Sequence, residues 1–354
     1  MPKTRYFLDA SFSDAYDDVL EQENIFSFET GFRGSPWQAK WIEPAQEEPT
    51  LEKRVKFWDL FGPVEENRSV EQRLKCAHEI RMEFTCEKEI RKARLYSSAH
   101  GIYDFSVNGR MEQNCSFTPE ISSYKDRLYY QTYDLTEMLL DGANVLEFTV
   151  ADGWWIGRIG LTGDSCQYGD RLGILAQVEI TYRDGSQQIE VSSSSAKSRE
   201  SYVRYSDLFM GEKQDLTTET KMLRQKSIEH YSWNSCMEAD YDMQNLVSQP
   251  MNPVVITEEI CDYTVIQTGD RELLIDFGQN FAGIAELVIE TNTEMPVVLE
   301  YSEILDENGN FLKNIQGRNK EHTDVFLVDS GRHCLHPRFT YHGFRYVRIT
   351  APKT

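Results

Sequence analysis

The 354-residue chain has no run of about eighteen apolar residues that could cross a bilayer as a helix, and its opening, MPKTRYFLDASFSDAYDDVL, has no apolar h-region. A cytoplasmic protein without membrane contact is the expectation. Cysteine supplies no framework, because Cys76, Cys86, Cys115, Cys166, Cys236, Cys261 and Cys334 are scattered, odd in number and without a CxxC pair. Free thiols in a reducing compartment are the simpler reading, and neither a disulfide scaffold nor a zinc site is indicated. Basic residues are also scarce, 37 against 58 acidic ones for a formal net charge of −21, and such a field repels phosphate backbones and anionic lipid. Nucleic acid and membranes are thereby excluded as partners, while neutral ligands such as glycans are not.

Helical periodicity is nearly absent, and alternation takes its place. From Ile80 onward IRMEFTC, ARLYSSA, IYDFSVNG, LYYQTYDL, NVLEFTVADG, LAQVEITYRDG and QIEVSS follow one another, with Asn108-Gly109 and Asp184-Gly185 as hairpin dipeptides. Only Leu135 to Leu140, opened by Asp134 or Thr136 and stopped by Gly142, predicts a helical turn. A second alternating series, YTVIQT, ELLIDFG, AELVIE, PVVLEYSEIL, DVFLVDS and FRYVRIT, follows a stretch where the pattern decays. The expectation is an all-β chain of two antiparallel, jelly-roll-like β-sandwich domains in tandem. Residues 1–36 read as a lead-in segment with a weakly amphipathic piece around Ala15 to Ile25, 37–225 as the first sandwich, 226–250 as a linker and 251–354 as the second.

The stretch LEFTVADGWWIGRIGLTGDSCQYG, Leu146 to Gly169, is the most informative. Neighbouring rings on a strand point to opposite faces, so Trp154 and Trp155 cannot both be core unless the strand has ended. Two rings followed by Arg158, Asp164, Tyr168 and Asp170 suit a sugar, whose C–H face stacks on an aromatic while its hydroxyls need fixed polar partners. The competing reading makes both tryptophans the closure of a sandwich core.

No distinctive catalytic spacing is present. Glu300 and Glu303 differ by an odd number on one proposed strand and should face opposite sides, whereas Glu303 with Asp306, or Glu212 with Asp215, are pairs that 58 acidic residues produce by chance. His333, Cys334 and His336 are too closely spaced for the usual zinc patterns. Asp276 to Asn280, DFGQN, lacks every accompanying kinase motif and reads as a turn, and G-x-S-x-G is absent.

The run from Ala93 to Glu212, through ARLYSSAHGIYDFSVNGR, FTPEISSYKDRLYYQTYDLTEMLLDGANVLEFTVADGWWIGRIG, YGDRLGILAQVEITYRDGS and SDLFMGE, resembles the N-terminal jelly-roll module of bacterial α-L-rhamnosidases, glycoside hydrolase family 78. IDFGQNFAGIAELVI, LEYSEILDENGNF and HPRFTYHGFRYVRI resemble the next β-sandwich of the same family, a concanavalin-like module. The resemblance implies that chemistry resides in an α/α barrel beginning after a strand like FRYVRIT, and neither that barrel nor its motif DCPQRDERLGW occurs here. It also implies L-rhamnose binding on the jelly roll through calcium in some relatives. In this chain Ser123 precedes Tyr124 where the family pattern has an aspartate, and Trp155 stands where it has a tyrosine, so an acidic calcium ligand is missing.

The expected function is therefore the non-catalytic N-terminal portion of a rhamnosidase-like enzyme, scaffolding the barrel and contacting rhamnose-containing glycans through Asp152, Trp154, Trp155, Arg158 and Tyr168. No catalytic residue, metal or cofactor is assigned. A free-standing carbohydrate-binding protein and a self-contained glycosidase using sandwich carboxylates are the alternatives. An apolar patch near the C-terminal strands, uncovered without a barrel, would recruit a second copy and give a homodimer.

Overall fold

Alternation along Gly142–Ala151 fixes the register on which the first sandwich is built. Leu146 lies opposite Met82 and Phe148 opposite Ile80 on the neighbouring strand His78–Cys86, so each strand sends every second side chain into the core. Phe148 and Ile80 are fully buried, and each such side chain contributes roughly 1.5–3 kcal/mol. The computed structural model describes residues 3–8, 12–13, 19–20, 26–32, 37–52, 68–111, 115–160, 163–217, 233–269, 271–315, 317 and 319–351.

The first sandwich has two sheets. In one, Met237–Ala239, Trp41–Glu43, Gly173–Tyr182, Ile90–His100, Leu128–Asp134 and Leu246–Ser248 lie in that order, with Gln187–Val191 also on Gly173–Tyr182. The other runs Asn234–Ser235, Lys197–Glu200, His78–Cys86, Gly142–Ala151, Ile102–Val107 and Arg110–Met111. Between them lies an apolar cluster that includes Ile80, Leu95, Phe148 and Val178. Asn108 and Gly109 both take positive φ, 53° and 74°, as a two-residue hairpin requires. Asp134 accepts the Thr136 N–H at 3.0 Å, but Leu135–Leu140 makes a single turn and no helix. α-Helix among the described residues is limited to the single turns Val70–Arg73 and Gly153–Ile156 and to Leu216 and Thr217.

The second sandwich sets a seven-stranded sheet against the pair Leu287–Thr291 and Gly331–Leu335. Val203–Asp207, Gly211–Asp215, Thr323–Val328, Met295–Ser302, His342–Thr350, Glu272–Gly283 and Thr264–Thr268 form the sheet, with Leu299, Phe326, Leu335 and Phe344 in the core. Sheet pairing divides the chain differently from composition. The hairpin of Val203–Asp207 and Gly211–Asp215, inside the segment read as the first sandwich, pairs in parallel with Thr323–Val328 of the second. Conversely, Asn234–Ser235, Met237–Ala239 and Leu246–Ser248, inside the segment read as a linker, complete edges of the first. These edge strands are two or three residues long, too short for alternation to show.

In the lead-in, Arg5–Leu8 pairs with Phe26–Glu29, and the Phe32 N–H donates to Tyr130 Oη at 2.8 Å. Most of the amphipathic piece around Ala15 to Ile25 lies outside the described residues.

Ion pairs tie the sandwiches together. Arg338 on the second forks onto Asp104 of the first, Nε to Oδ2 at 2.9 Å and Nη2 to Oδ1 at 2.6 Å, and also donates to Tyr202 Oη at 2.7 Å. Asp104 is buried, so Arg338→Ala strands an unpaired carboxylate and should destabilise the protein by about 3–5 kcal/mol. A lowered denaturant midpoint checks this, and an unchanged one would contradict the assigned pairing.

Candidate functional site

The strand that carries Phe148 stops at Ala151, and Gly153, with φ at 52°, turns the chain into the one-turn helix Gly153–Ile156. A side chain is excluded at Gly153 by more than its backbone, since a Cβ there would lie 2.5 Å from Ile102. The helix resolves the ring problem posed by the sequence, because Trp154 and Trp155 leave it in different directions. Trp154 meets Phe117 edge-on at 6.2 Å and stays half-buried. Trp155 stacks on His100 at 4.0 Å with planes 1° apart, and His100 stacks in turn on Trp41 at 4.1 Å. Trp155 also meets Tyr124 at 5.6 Å and Tyr168 at 6.5 Å, and its Nε1 donates to the Arg171 carbonyl at 3.1 Å.

His100 is held between two indoles, with Tyr241 edge-on at 4.3 Å, and burial pushes its pKa down to about 3. It is a neutral ring in a stack. Tyr241 donates to Glu43 Oε1 at 2.5 Å, and Glu43 Oε2 accepts Arg171 Nε at 3.0 Å, which fastens the stack to the sheet edge.

The remaining sequence-predicted residues separate. Tyr168 packs edge-on against Tyr124 at 4.8 Å and is half-buried. Arg158 turns inward, where its backbone N–H donates to Asp207 Oδ2 at 2.9 Å and its Nη2 donates to the Arg73 carbonyl at 3.0 Å and approaches Glu52 Oε1 at 3.4 Å. Asp152 is also buried, beside Arg158 and Asp207; burial raises its pKa to about 7 despite the Arg158 charge. The structure thus brings Trp155 and Tyr168 together and sends Asp152 and Arg158 into the boundary between the sandwiches. Asp164 bridges the loop through its backbone carbonyl, which accepts the Ile159 N–H at 3.2 Å.

Sequence reasoning missed the partners of Arg158. Glu52 accepts Arg73 Nε at 2.9 Å and Arg68 Nη2 at 3.2 Å, and Arg73 also bonds Asn319 of the second sandwich. Burial opposes ionisation of Glu52, but the Arg73 hydrogen bond and the charges of Arg73, Arg158 and Arg68 outweigh it and hold its pKa below the ordinary value. Glu52 stands in no motif, and Asp207, though part of SDLFMGE, is given no role there.

The carboxylates considered for catalysis are committed elsewhere. Glu300 accepts Arg348 Nε at 2.9 Å, Glu303 lies beyond the end of its strand against Asn314 at 3.2 Å, and Asp306 accepts the Asn308 and Asn310 N–H groups of its own turn. Glu212 accepts Gln214 Nε2 at 2.6 Å and the Phe339 N–H at 2.8 Å, and burial pushes its pKa up to about 7. Asp276 receives the Gly278 N–H at 2.7 Å and a fork from Arg345, and DFGQN, expected as a turn between strands, is instead an irregularity of register inside the single strand Glu272–Gly283. His342 stacks on Tyr301 and bonds Asp324 at 3.1 Å inside the second core. Among the described residues no group of three or more His, Cys, Asp or Glu could hold a metal ion.

Residues 88–258 match the alpha-L-rhamnosidase N-terminal domain, and residues 266–354 match the bacterial alpha-L-rhamnosidase concanavalin-like domain. The chain belongs to the bacterial alpha-L-rhamnosidase family, of which it carries these two β-sandwich domains. An alpha-L-rhamnosidase of Streptomyces avermitilis is 34% identical over 278 residues, 77% of this chain and 27% of that protein. The alpha-L-rhamnosidase structure from Dictyoglomus thermophilum superposes with a TM-score of 0.79 at 25% identity, covering 99% of this chain and 38% of that one. That of the Streptomyces avermitilis enzyme complexed with L-rhamnose gives 0.83 at 23% identity, covering all of this chain and 49% of that one, and shows the shared fold. The chain spans between 27% and 38% of the curated relatives it matches.

A pH prediction follows from Asp152. With its folded pKa raised to about 7 against about 3.9 when unfolded, the folded state holds the extra proton, so this residue's contribution to stability is greatest below pH 4 and falls as pH rises through that window. Asp152→Asn removes the titration, and its stability relative to the parent should climb between pH 4 and 7. Parallel unfolding curves with a pH-independent difference would contradict a raised value.

Proposed function

We propose that this chain is the β-sandwich scaffold of an alpha-L-rhamnosidase, which seats a catalytic domain and takes no bond-breaking step itself. The observation that carries this reading is the rigid join: two domains of one hydrolase family are fastened by Arg338 on Asp104 and by the buried Glu52, Arg73, Arg158 and Asp207 group, while the candidate carboxylates are held in structural bonds. Two-carboxylate hydrolysis needs a pair of carboxyl groups flanking a bond, free to exchange protons. Those in the second sandwich are tied to arginine, asparagine or backbone N–H groups.

An exposed apolar edge supports a seat for another domain. Val255, Ile256, Tyr263, Val265 and Ile266 run along and before the edge strand Thr264–Thr268, with Ile256 70% and Tyr263 60% exposed. A catalytic domain is the occupant this reading gives that edge, and in its absence a second copy would cover it. Rhamnose-containing glycans are the ligands it gives Trp154 and Tyr168, the part-exposed rings of the predicted set whose polar atoms have no hydrogen bond among the described residues.

The test is a chimera in which this chain replaces the matching front part of the Streptomyces avermitilis enzyme. Release of p-nitrophenol from p-nitrophenyl α-L-rhamnoside is expected from the chimera and not from this chain alone. Turnover by the isolated chain, or a folded chimera without turnover, would overturn the proposal.

A further inference from the structure

Residues 254–266, VVITEEICDYTVI, are rich in β-branched side chains and contain no Gly, Pro, Asn or Ser, which is the composition of a strand and not of a loop. Only the end of this run joins a sheet. Thr264–Thr268 pairs with Glu272–Gly283 alone and closes the seven-stranded sheet as its edge. At the other end the Val254 carbonyl accepts the Ser116 N–H at 2.8 Å and its own N–H donates to Glu120 Oε1 at 3.1 Å. Between these anchors, residues 255–262 make no hydrogen bond among the described residues, so their N–H and C=O groups stand open.

The edge strand itself lacks cover. Val265 and Ile266, as neighbours on a strand, point to opposite faces, yet they are 48% and 41% exposed. Natural edges are blunted by charge, proline or a covering element, and TVIQT has neither charge nor proline. Charge decides what fits beside it. Glu258, Glu259 and Asp262 are exposed and form no ion pair among the described residues, and the chain carries no lysine or arginine between Lys226 and Arg271. Opposite charges facing each other across paired strands are stabilising and like charges destabilising. A second copy brings the same three acids and its own net charge of −21 to this edge, so a basic segment displaces it.

We propose that residues 255–268 are a docking edge that holds a partner polypeptide by strand addition, the partner supplying an extended segment in which apolar residues alternate with lysine or arginine. Its backbone pairs with the open N–H and C=O groups, its apolar side chains cover Ile256, Tyr263 and Val265, and its cations meet Glu258, Glu259 and Asp262. The inference goes beyond the scaffold reading, since it sets the chemistry of the docking segment and holds whether or not a catalytic domain supplies it.

Amide hydrogen exchange of the full chain, read by mass spectrometry, tests it with an end-blocked peptide of alternating lysine and valine as the probe. Saturable slowing of exchange within residues 255–268 is expected. The fully N-methylated form of the peptide keeps the charge but has no backbone N–H, and it should bind about tenfold or more weakly, the value for about 1.4 kcal/mol of lost hydrogen bonding. A glutamate–valine peptide should leave exchange unchanged. Glu258→Lys together with Glu259→Lys, both at exposed positions that the fold tolerates, should reverse the preference toward the glutamate peptide. The proposal is overturned if the lysine peptide does not slow exchange there, if its N-methylated form protects as well, or if the charge-swapped variant still prefers lysine. Protection that grows with protein concentration and resists the lysine peptide would make a second copy the occupant and overturn it too. An inactive chimera together with saturable protection would remove the scaffold reading and leave this one intact, and an active chimera without protection would do the reverse.

Discussion

Asp207 is the residue on which the two sandwiches turn. It sits in the bend between Val203–Asp207 and Gly211–Asp215, fully buried, and caps that bend by accepting the Phe209 and Met210 N–H groups at 3.0 and 3.1 Å. Its other oxygen takes the Arg158 backbone N–H, which fixes the loop after the tryptophan helix. Its carbonyl accepts Thr340 Oγ1 at 3.1 Å, next to the Arg338 that grips Asp104. A single buried carboxylate thus aligns a hairpin of the second sheet, the aromatic helix of the first sandwich and the boundary between them. A charge so placed is stable only because opposite charge and N–H donors surround it.

The aromatic helix shows the same division of labour between apolar and polar contacts. Trp41, His100 and Trp155 form a three-ring stack whose middle member is kept uncharged by burial. The stack depends on Gly169, whose backbone runs so close to the Trp155 indole that a Cβ would stand 2.4 Å from it. Ring area that the sequence suggested for ligand contact is spent on holding the loop. Polar groups meant for the same ligand face a different space.

What the sequence revealed follows from interaction range. The alternation of Gly142–Ala151 and the Asn108-Gly109 turn are local, and the two sandwiches and their family were legible from such segments in order. Asp152, Trp154 and Trp155 are neighbours in the sequence, but a strand-based argument cannot foresee a one-turn helix that sends each residue to a different neighbour. The roles of Glu52 and Asp207 were hidden among 58 acidic residues, because their ion-pair partners are distant in the chain and ion pairing imposes no spacing. The pairing of the Val203–Asp215 hairpin with the second sheet was hidden for the same reason, since its sheet partner follows more than a hundred positions later.

That delay shapes how the molecule can be assembled. Gly211–Asp215 pairs in parallel with Thr323–Val328, and the Glu212 N–H reaches Asp324 across 112 positions. While the chain emerges from the ribosome, the first sandwich can close its own sheets, yet this hairpin must wait with a bare edge until the later strand arrives. The two units share one completion step, and a fragment ending at the first unit would carry an unclosed seam.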